Sequence, residues 1–208
     1  MAISAVITAD IVNSTSLTKE AHKKLIATLE SLLDDYKFEF YRGDSFQVYL
    51  REKEKVLELI FKIRTAAKKI ITSSKPLIDV RTGVGIGHVK SAIRDLKAST
   101  EEPFVLSGRS LDELSSSDDR LRIQSFDDNA NCVFRLISRF TDYIFKQLTS
   151  KQAAVIFELL LGHTQTDAAK RLKKSQVTVN KQSHAAGWIE IERLLSEYEF
   201  AITQFNLK

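Results

Sequence analysis

The clearest pattern of apolar and polar positions runs from residue 38 to residue 50. Two stretches there alternate apolar with polar or amphipathic side chains, and the tight pair Gly43-Asp44 separates them. A period of two on both sides of such a pair predicts a β-hairpin, and glycine supplies the positive φ that a hairpin tip often requires. The carboxylate of Asp44 is therefore expected at a rigid turn between two strands.

An apolar run over residues 3–11 is too short for a helix and predicts a first strand that carries Asp10 near its end. If this strand lies beside the hairpin, the carboxylates of Asp10 and Asp44 meet at one edge of a sheet. Two aspartates are the smallest oxygen donor set for Mg²⁺ or Mn²⁺. A metal site or nucleotide-phosphate site is therefore one interpretation, and the other is that both aspartates only cap backbone groups at turns.

Helical spacing of apolar residues predicts two amphipathic helices, over residues 17–36 and 52–72. Residues 78–87 predict a strand, and its three alternate glycines indicate a face that other backbone or a ligand approaches closely. An antiparallel partner strand is expected over 88–93, a short helix over 105–114 and a last strand over 120–126. The order βαββαβ favours an α+β, ferredoxin-like sandwich with helices packed against one face of the sheet.

Beyond residue 127 the pattern is helical only. A long helix over 130–148 carries Cys132, which is expected to be a small core residue. Two short helices follow over 165–172 and 176–188, with a three-residue connection between them and a pair of alanines where they cross, which predicts a helix-turn-helix. The side chains of Val177 and Val179 and the apolar side of Trp188 are expected to pack inward. The chain is thus divided into a first domain over 1–127, a linking helix over 128–148 and a helix-turn-helix domain over 149–208.

Basic and polar side chains cluster around the second helix of this pair. Between residues 164 and 188, five lysines and arginines face a single carboxylate, that of Asp167. Lysines that flank a recognition helix suit phosphate contacts, and amide and hydroxyl side chains suit base edges. Double-stranded DNA is therefore the predicted partner, and a trihelical protein-binding domain is the alternative. The predicted DNA-binding residues are Lys170, Arg171, Lys173, Lys174, Ser175, Gln176, Thr178, Asn180, Lys181, Gln182 and His184.

Composition sets the outer limits of this interpretation. A chain of 208 residues that is 43% hydrophobic can bury a proper core and hold two modest domains, and its formal net charge of +4 is compatible with nucleic-acid contact. Cys132 is the single cysteine, so no intramolecular disulfide is possible. The N-terminus has no secretory signal pattern, and no apolar run is long enough for a transmembrane helix. A cytoplasmic protein without membrane segments is expected.

Three blocks in the first half resemble the catalytic fold of class III nucleotidyl cyclases and, more closely, the SatD family of bacterial proteins. They are TADIVNS at 8–14, GDSFQ at 43–47 and RTGVGIG at 81–87. The resemblance implies that Asp10 and Asp44 hold divalent metals, Mg²⁺ or Mn²⁺, which bind a nucleotide triphosphate and activate the ribose 3′-hydroxyl. Asn13, Ser14 and Gly43 lie in the same blocks and become candidate ligand-binding residues.

The second half, over residues 148–195, resembles region four of bacterial sigma factors. The match rests on Thr164, on the Asp-Ala-Ala triplet at 167–169, on Leu172 and on residues 175–179. The resemblance implies that this part of the chain binds DNA through its helix-turn-helix.

Two departures from the cyclase pattern argue against catalysis. Phe40 occupies the position of the base-selecting lysine, and residues 108–113 lack the Asn–Arg pair that stabilises the transition state. Loss of the electrophilic arginine alone raises the barrier by several kcal/mol.

The sequence therefore predicts a DNA-binding transcriptional regulator. Its degenerate cyclase-like domain serves for dimerisation or senses a nucleotide or a metal. A homodimer is expected, because the resemblance to cyclases implies head-to-tail pairing of the first domain and because DNA half-sites lie about 34 Å apart. The alternatives are a metal-dependent nucleotide-processing enzyme, such as a divergent cyclase, and a structural adaptor.

Overall fold

The computed structural model describes residues 2–41, 43–70, 77–90, 93 and 95–205. Its strands are β1 (Ala2–Val12), β2 (Lys37–Tyr41), β3 (Ser45–Leu50), β4 (Asp79–Val89) and β5 (Leu121–Ser125). Its helices are α1 (Lys19–Leu33), α2 (Val56–Lys68), α3 (Glu102–Ser115), α4 (Asp128–Gln147), α5 (Ser150–Leu160), α6 (Gln165–Leu172), α7 (Gln176–Ala185) and α8 (Trp188–Gln204). The mixed α+β class predicted from the sequence is confirmed. Within the described ranges no helix is long and apolar enough to cross a membrane.

The five strands form one sheet in the order β2, β3, β1, β4, β5. Neighbouring strands are antiparallel except for the parallel pair of β4 and β5. The predicted hairpin is present, since Phe40 pairs with Phe46 and Gly43 has a φ of 84° at the tip.

The separate strand predicted over 88–93 is wrong for its first residues, because His88 and Val89 belong to β4, which runs unbroken to Val89. Residues 91 and 92 of that prediction lie outside the described residues. β1 pairs with β4 over its whole length, from Ala2 opposite Val89 to Val12 opposite Asp79. The hydrogen-bonding groups on that side of β4 therefore already have their partner strand.

Helices cover both faces of the sheet, whereas the sequence predicted one covered face. α1 and α2 pack against the face that carries Ile7 and Val84. α3 crosses the opposite face above the glycines of β4: an ideal Cβ on Gly83 would lie 2.4 Å from the carbonyl oxygen of Ser107. Gly83 and Gly85 therefore make room for the backbone of a helix. A helix covers this second face because β4 and β5 are parallel. Parallel strands need a crossover connection, and the crossover from β4 to β5 carries α3 over the sheet.

One hydrophobic core continues from the sheet into the C-terminal helices. α2 lies between them, and its buried residues Phe61 and Ile63 share a cluster with Phe145 of α4 and Ile156 of α5. α8 contacts the segment just before α2, where the hydroxyl of the buried Tyr198 donates to the main-chain carbonyl of residue 53 at 3.1 Å. The C-terminal helices are therefore packed on the same helical layer that covers the sheet.

α4 has one buried face and one exposed face. Phe134, Ile137 and Phe145 are buried, whereas Leu136 is 65% exposed. Cys132 is also exposed, so its prediction as a core residue is wrong. The apolar stripe of α4 is narrower than the pattern suggested, and position 132 falls outside it.

Candidate functional site

Asp10 and Asp44 lie side by side at the end of β1 and the tip of the hairpin. Asp10 is opposite Ser45 in the register of β1 and β3, and the backbone amide of Ile11 donates to the carbonyl oxygen of Asp44 at 2.9 Å. The geometry expected from the sequence, with β1 beside the hairpin and two carboxylates at one sheet edge, is therefore present.

The hydrogen bonding of Asp10 is incomplete, whereas both oxygens of Asp44 accept hydrogen bonds. Oδ2 of Asp10 accepts from Nη1 of Arg81 at 3.2 Å, but Oδ1 is buried and has no hydrogen-bond partner in the described part of the chain. Oδ2 of Asp44 accepts from the hydroxyl of Ser14 at 2.9 Å, and Oδ1 accepts from the hydroxyl of Ser45 at 3.5 Å. Burial raises the pKa of Asp10; the Arg81 guanidinium opposes this rise, and the Asp44 carboxylate adds to it.

These residues fit a hard divalent cation. A cation between Asp10 and Asp44 would bind Oδ1 of Asp10, which has no hydrogen-bond partner, and would remove the repulsion between the two carboxylates. Mg²⁺ is commonly bound through one or two carboxylates while it keeps several waters. Among the residues that the structure describes, no group of three His, Cys, Asp or Glu side chains surrounds such a position. Water or phosphate oxygens would therefore complete the coordination, and Arg81 would compete for Asp10.

The three predicted ligand-binding residues surround this edge in different ways. Ser14 starts a short 3₁₀ turn and contacts Asp44 directly. Asn13 has a left-handed φ of 61°, and its side-chain amide donates to the carbonyl oxygen of Leu77 at 2.9 Å. Gly43 is exposed at the hairpin tip, and an ideal Cβ there would meet nothing within 4 Å. Only Ser14 is thus tied to a carboxylate of the pair.

A buried ion network beside this edge was missed by the sequence reasoning. Arg64 of α2 is 1% exposed and donates to both oxygens of Asp79 at 2.9 and 2.8 Å and to Asp142 of α4 at 2.5 Å. The second oxygen of Asp142 accepts the backbone amides of Arg120 and Leu121, at the start of β5. One sequence signal was available: Arg64 lies on the apolar stripe of α2, where a lone charge requires buried partners.

A second candidate site lies on α6 and α7. Residues 173–175 connect the two helices, and Lys173 adopts a left-handed φ of 52° that ends α6. The hydroxyl of Ser175 accepts the amide of Thr178 at 3.2 Å and caps α7. Ala168 and Ala169 are buried where the helices meet, which fits the close approach expected for small residues.

Most of the predicted DNA-binding residues lie at the surface of this pair. Some are committed to local contacts: Nε of Arg171 donates to Glu158 of α5 at 2.6 Å, and Nζ of Lys174 donates to Gln182 at 2.9 Å. Ser175 and Thr178 form the cap just described. The side-chain amide of Asn180 donates to Oε1 of Gln165 at 3.2 Å. The exposed members are Lys170, Arg171, Lys173, Ser175, Gln176, Asn180, Lys181 and His184.

The prediction that both valines of α7 pack inward is wrong for one of them. Val179 is fully buried, whereas Val177 is 64% exposed. Each helical residue is rotated by about 100° from the last, so positions two apart point in nearly opposite directions. Val177 therefore belongs to the outer face of α7.

Neither protein-family models nor curated proteins match the chain. Among solved structures, it is similar to the active GGEEF domain of a diguanylate cyclase from Vibrio cholerae, with 16% sequence identity and a TM-score of 0.41. The match covers 54% of this chain and 76% of that chain. At this TM-score the similarity carries no argument about function, which has to come from the residues themselves.

Proposed function

We propose that the chain is a transcriptional regulator that binds double-stranded DNA through α7. The observation that carries the proposal is the outer face of this helix. Gln176, Val177, Asn180, Lys181 and His184 are all exposed and follow one another at helical spacing. They form a continuous face of about two and a half turns, roughly 13 Å long, which is close to the width of about 12 Å of a major groove.

The chemistry of this face suits base edges. Gln and Asn form paired hydrogen bonds with adenine, Lys donates to guanine, and an apolar side chain contacts the methyl group of thymine. Gln176, Asn180, Lys181 and Val177 supply these functions. Lys170 and Lys173 are exposed beside the helix, where cations contact the phosphate backbone.

The rest of the chain serves for dimerisation or for sensing a nucleotide or metal in this proposal. A homodimer would place two copies of α7 on half-sites about 34 Å apart and so increase affinity. Mg²⁺ or Mn²⁺ would be held by Asp10 and Asp44 and would bring phosphate oxygens to the sheet edge. α4 supports a link between the two functions, since Asp142 ties it to the sheet and its end leads directly into α5.

Fluorescence anisotropy of a labelled duplex DNA pool tests the proposal. Binding is expected to weaken with salt, and Lys173→Ala/Lys181→Ala is expected to reduce the slope of log affinity against log salt by about 2. The matched control is Lys19→Ala/Lys23→Ala, which removes two exposed lysines from α1. No binding at low salt would refute DNA recognition and favour the protein adaptor. Equal effects of the two double variants would refute the assignment to α7.

A metal-dependent nucleotide-processing enzyme is the second candidate, and the orphaned oxygen of Asp10 beside Asp44 is the observation in its favour. Phe40 speaks against a divergent cyclase, because its partly buried ring packs against Phe46, with ring centroids 5.2 Å apart, and has no hydrogen-bonding group to select a base. Turnover of nucleoside triphosphates with Mg²⁺ or Mn²⁺ that disappears in Asp44→Ala but persists in the exposed control Asp34→Ala would establish this function.

A further inference from the structure

A cavity of about 600 Å³ opens between α2, α4 and the adjoining ends of β1 and β4. Val12, Leu77 and Phe145 give it apolar walls, and Lys68, Arg120 and Lys146 bring cationic side chains to its lining. Its size falls within the range of small-molecule sites, about 300–1,000 Å³. The combination of apolar walls with a few polar groups is also typical of such sites.

Lys68 is the unusual group in this cavity. The residue is only 5% exposed, and its ammonium forms no hydrogen bond or ion pair with another described residue. Burial lowers the pKa of Lys68, while the nearby Asp79 carboxylate opposes that change. A largely buried lysine whose ammonium has no paired acceptor is unfavourable, and an anion in the cavity would supply that acceptor.

Two of the three carboxylates that line the cavity are already engaged. Both oxygens of Asp79 accept from Arg64, and Asp142 accepts from Arg64 and from two backbone amides. The third carboxylate, Asp118, is exposed at the rim. The groups that remain for an occupant are therefore mainly donors, with Lys68 deep in the cavity and Lys146 exposed at its edge.

We propose that this cavity binds a small organic anion, a phosphate or carboxylate joined to an apolar or aromatic group. The anion contacts Lys68 and Lys146, and the apolar group packs against Val12, Leu77 and Phe145. The cavity lies beside the sheet edge that carries Asp10 and Asp44, but it uses neither of these two candidate metal ligands.

Such a ligand would bridge α2 and α4. Lys68 belongs to α2, and Phe145 and Lys146 belong to the last turn of α4, which leads into the helices that include α7 and its outer face. Binding would therefore fix the end of α4 relative to the sheet. The binding itself is independent of DNA recognition; only its role as an effector site rests on the proposed function.

Isothermal titration of the full chain with phenyl phosphate, benzoate, inorganic phosphate and phenol tests the site. At least one of the two aromatic anions is expected to bind about tenfold more tightly than inorganic phosphate and phenol, because only these anions fill both parts of the cavity. Absence of saturable binding by both aromatic anions would overturn the proposal. Binding of phenol as tight as that of phenyl phosphate and benzoate would also overturn it, since the cations would then have no role.

Two variants assign the binding to this cavity. Lys68→Met keeps the length of the side chain and removes the charge, and it is expected to weaken binding about tenfold or more. Lys62→Met, on the same helix but outside the cavity, is the matched control and should bind as the wild type does. Lys146 is exposed at the rim of the cavity, so Lys146→Gln is expected to fold. This variant therefore tests whether the anion binds in the cavity even if Lys68→Met fails to fold. Wild-type affinity in both cavity variants would overturn the assignment.

The anisotropy assay, repeated with saturating phenyl phosphate or benzoate, separates this site from the proposed function. A protein that binds the aromatic anion but not DNA keeps the site and refutes the effector role. A protein that binds DNA but neither aromatic anion refutes the site and keeps the proposed function. A change in DNA affinity that disappears in Lys68→Met and Lys146→Gln would establish the effector role.

Discussion

Alanine at Gly85 is expected to force the sheet and α3 apart. An ideal Cβ on Gly85 would lie 2.1 Å from the carbonyl oxygen of Pro103 and 2.7 Å from the amide nitrogen of Ser107. Both atoms belong to the backbone of α3, so no side-chain rotation relieves the overlap. Either α3 moves away or β4 bends. We expect the free energy of unfolding to fall by about 3 kcal/mol, at the upper end of the usual range for overpacking.

Gly108 provides the matched control because it lies on α3 itself. An ideal Cβ on Gly108 would meet no atom within 4 Å. Alanine at this helical position removes the conformational penalty of glycine and is expected to stabilise the protein by about 1 kcal/mol. The same chemical change should therefore have opposite signs on the two sides of one contact.

Urea unfolding followed by far-ultraviolet circular dichroism measures both effects. The transition midpoint should fall in Gly85→Ala and rise in Gly108→Ala, with similar slopes in all three proteins. A Gly85→Ala protein whose stability stays within about 0.5 kcal/mol of the wild type would refute the close approach of α3 to β4.

Three further predictions concern single side chains. Arg64→Met leaves its two aspartate partners without a cation and should lower the free energy of unfolding by about 3–5 kcal/mol. The control Lys62→Met, on the same helix, should lower it by at most about 1 kcal/mol. Equal urea midpoints in the two variants would refute the buried network. Because burial raises the folded-state pKa of Asp10, the folded protein binds more protons there than the unfolded chain, so the wild type should lose stability as the pH rises from about 4 through that pKa. Asp10→Asn should lack this part of the loss, and parallel stability curves for the two proteins would contradict the assignment. Lys173→Gly relieves a left-handed backbone and should raise stability by about 1 kcal/mol while it weakens DNA binding; a lower melting temperature would contradict the first effect.

The local elements followed from the sequence because each depends on neighbouring residues. The alternation around Gly43 specified the hairpin, and the short apolar run specified β1. The meeting of Asp10 and Asp44 needed one assumption, that β1 lies beside the hairpin, and the pairing of Asp10 with Ser45 satisfies it.

Features that depend on residues far apart in the chain could not be predicted from the sequence. The glycines of β4 indicated a close approach, but only the crossover to β5 shows that a helix makes it. Arg64 gave a local signal, yet its partners are 15 and 78 positions away and no periodicity relates them. The exposure of Cys132 and Val177 depends on how wide a stripe of each helix the neighbouring helices cover, and the sequence pattern leaves that width open.

The network around Arg64 also determines where the chain can be shortened. A protein ending at residue 127 would keep all five strands but lose Asp142, the acceptor for Arg64 and for the two backbone amides at the start of β5. It would also lose Phe145, whose ring lies 5.1 Å from that of Phe61 and so covers part of the core. A fragment intended to fold with the sheet intact therefore has to include α4 and extend at least to Leu148.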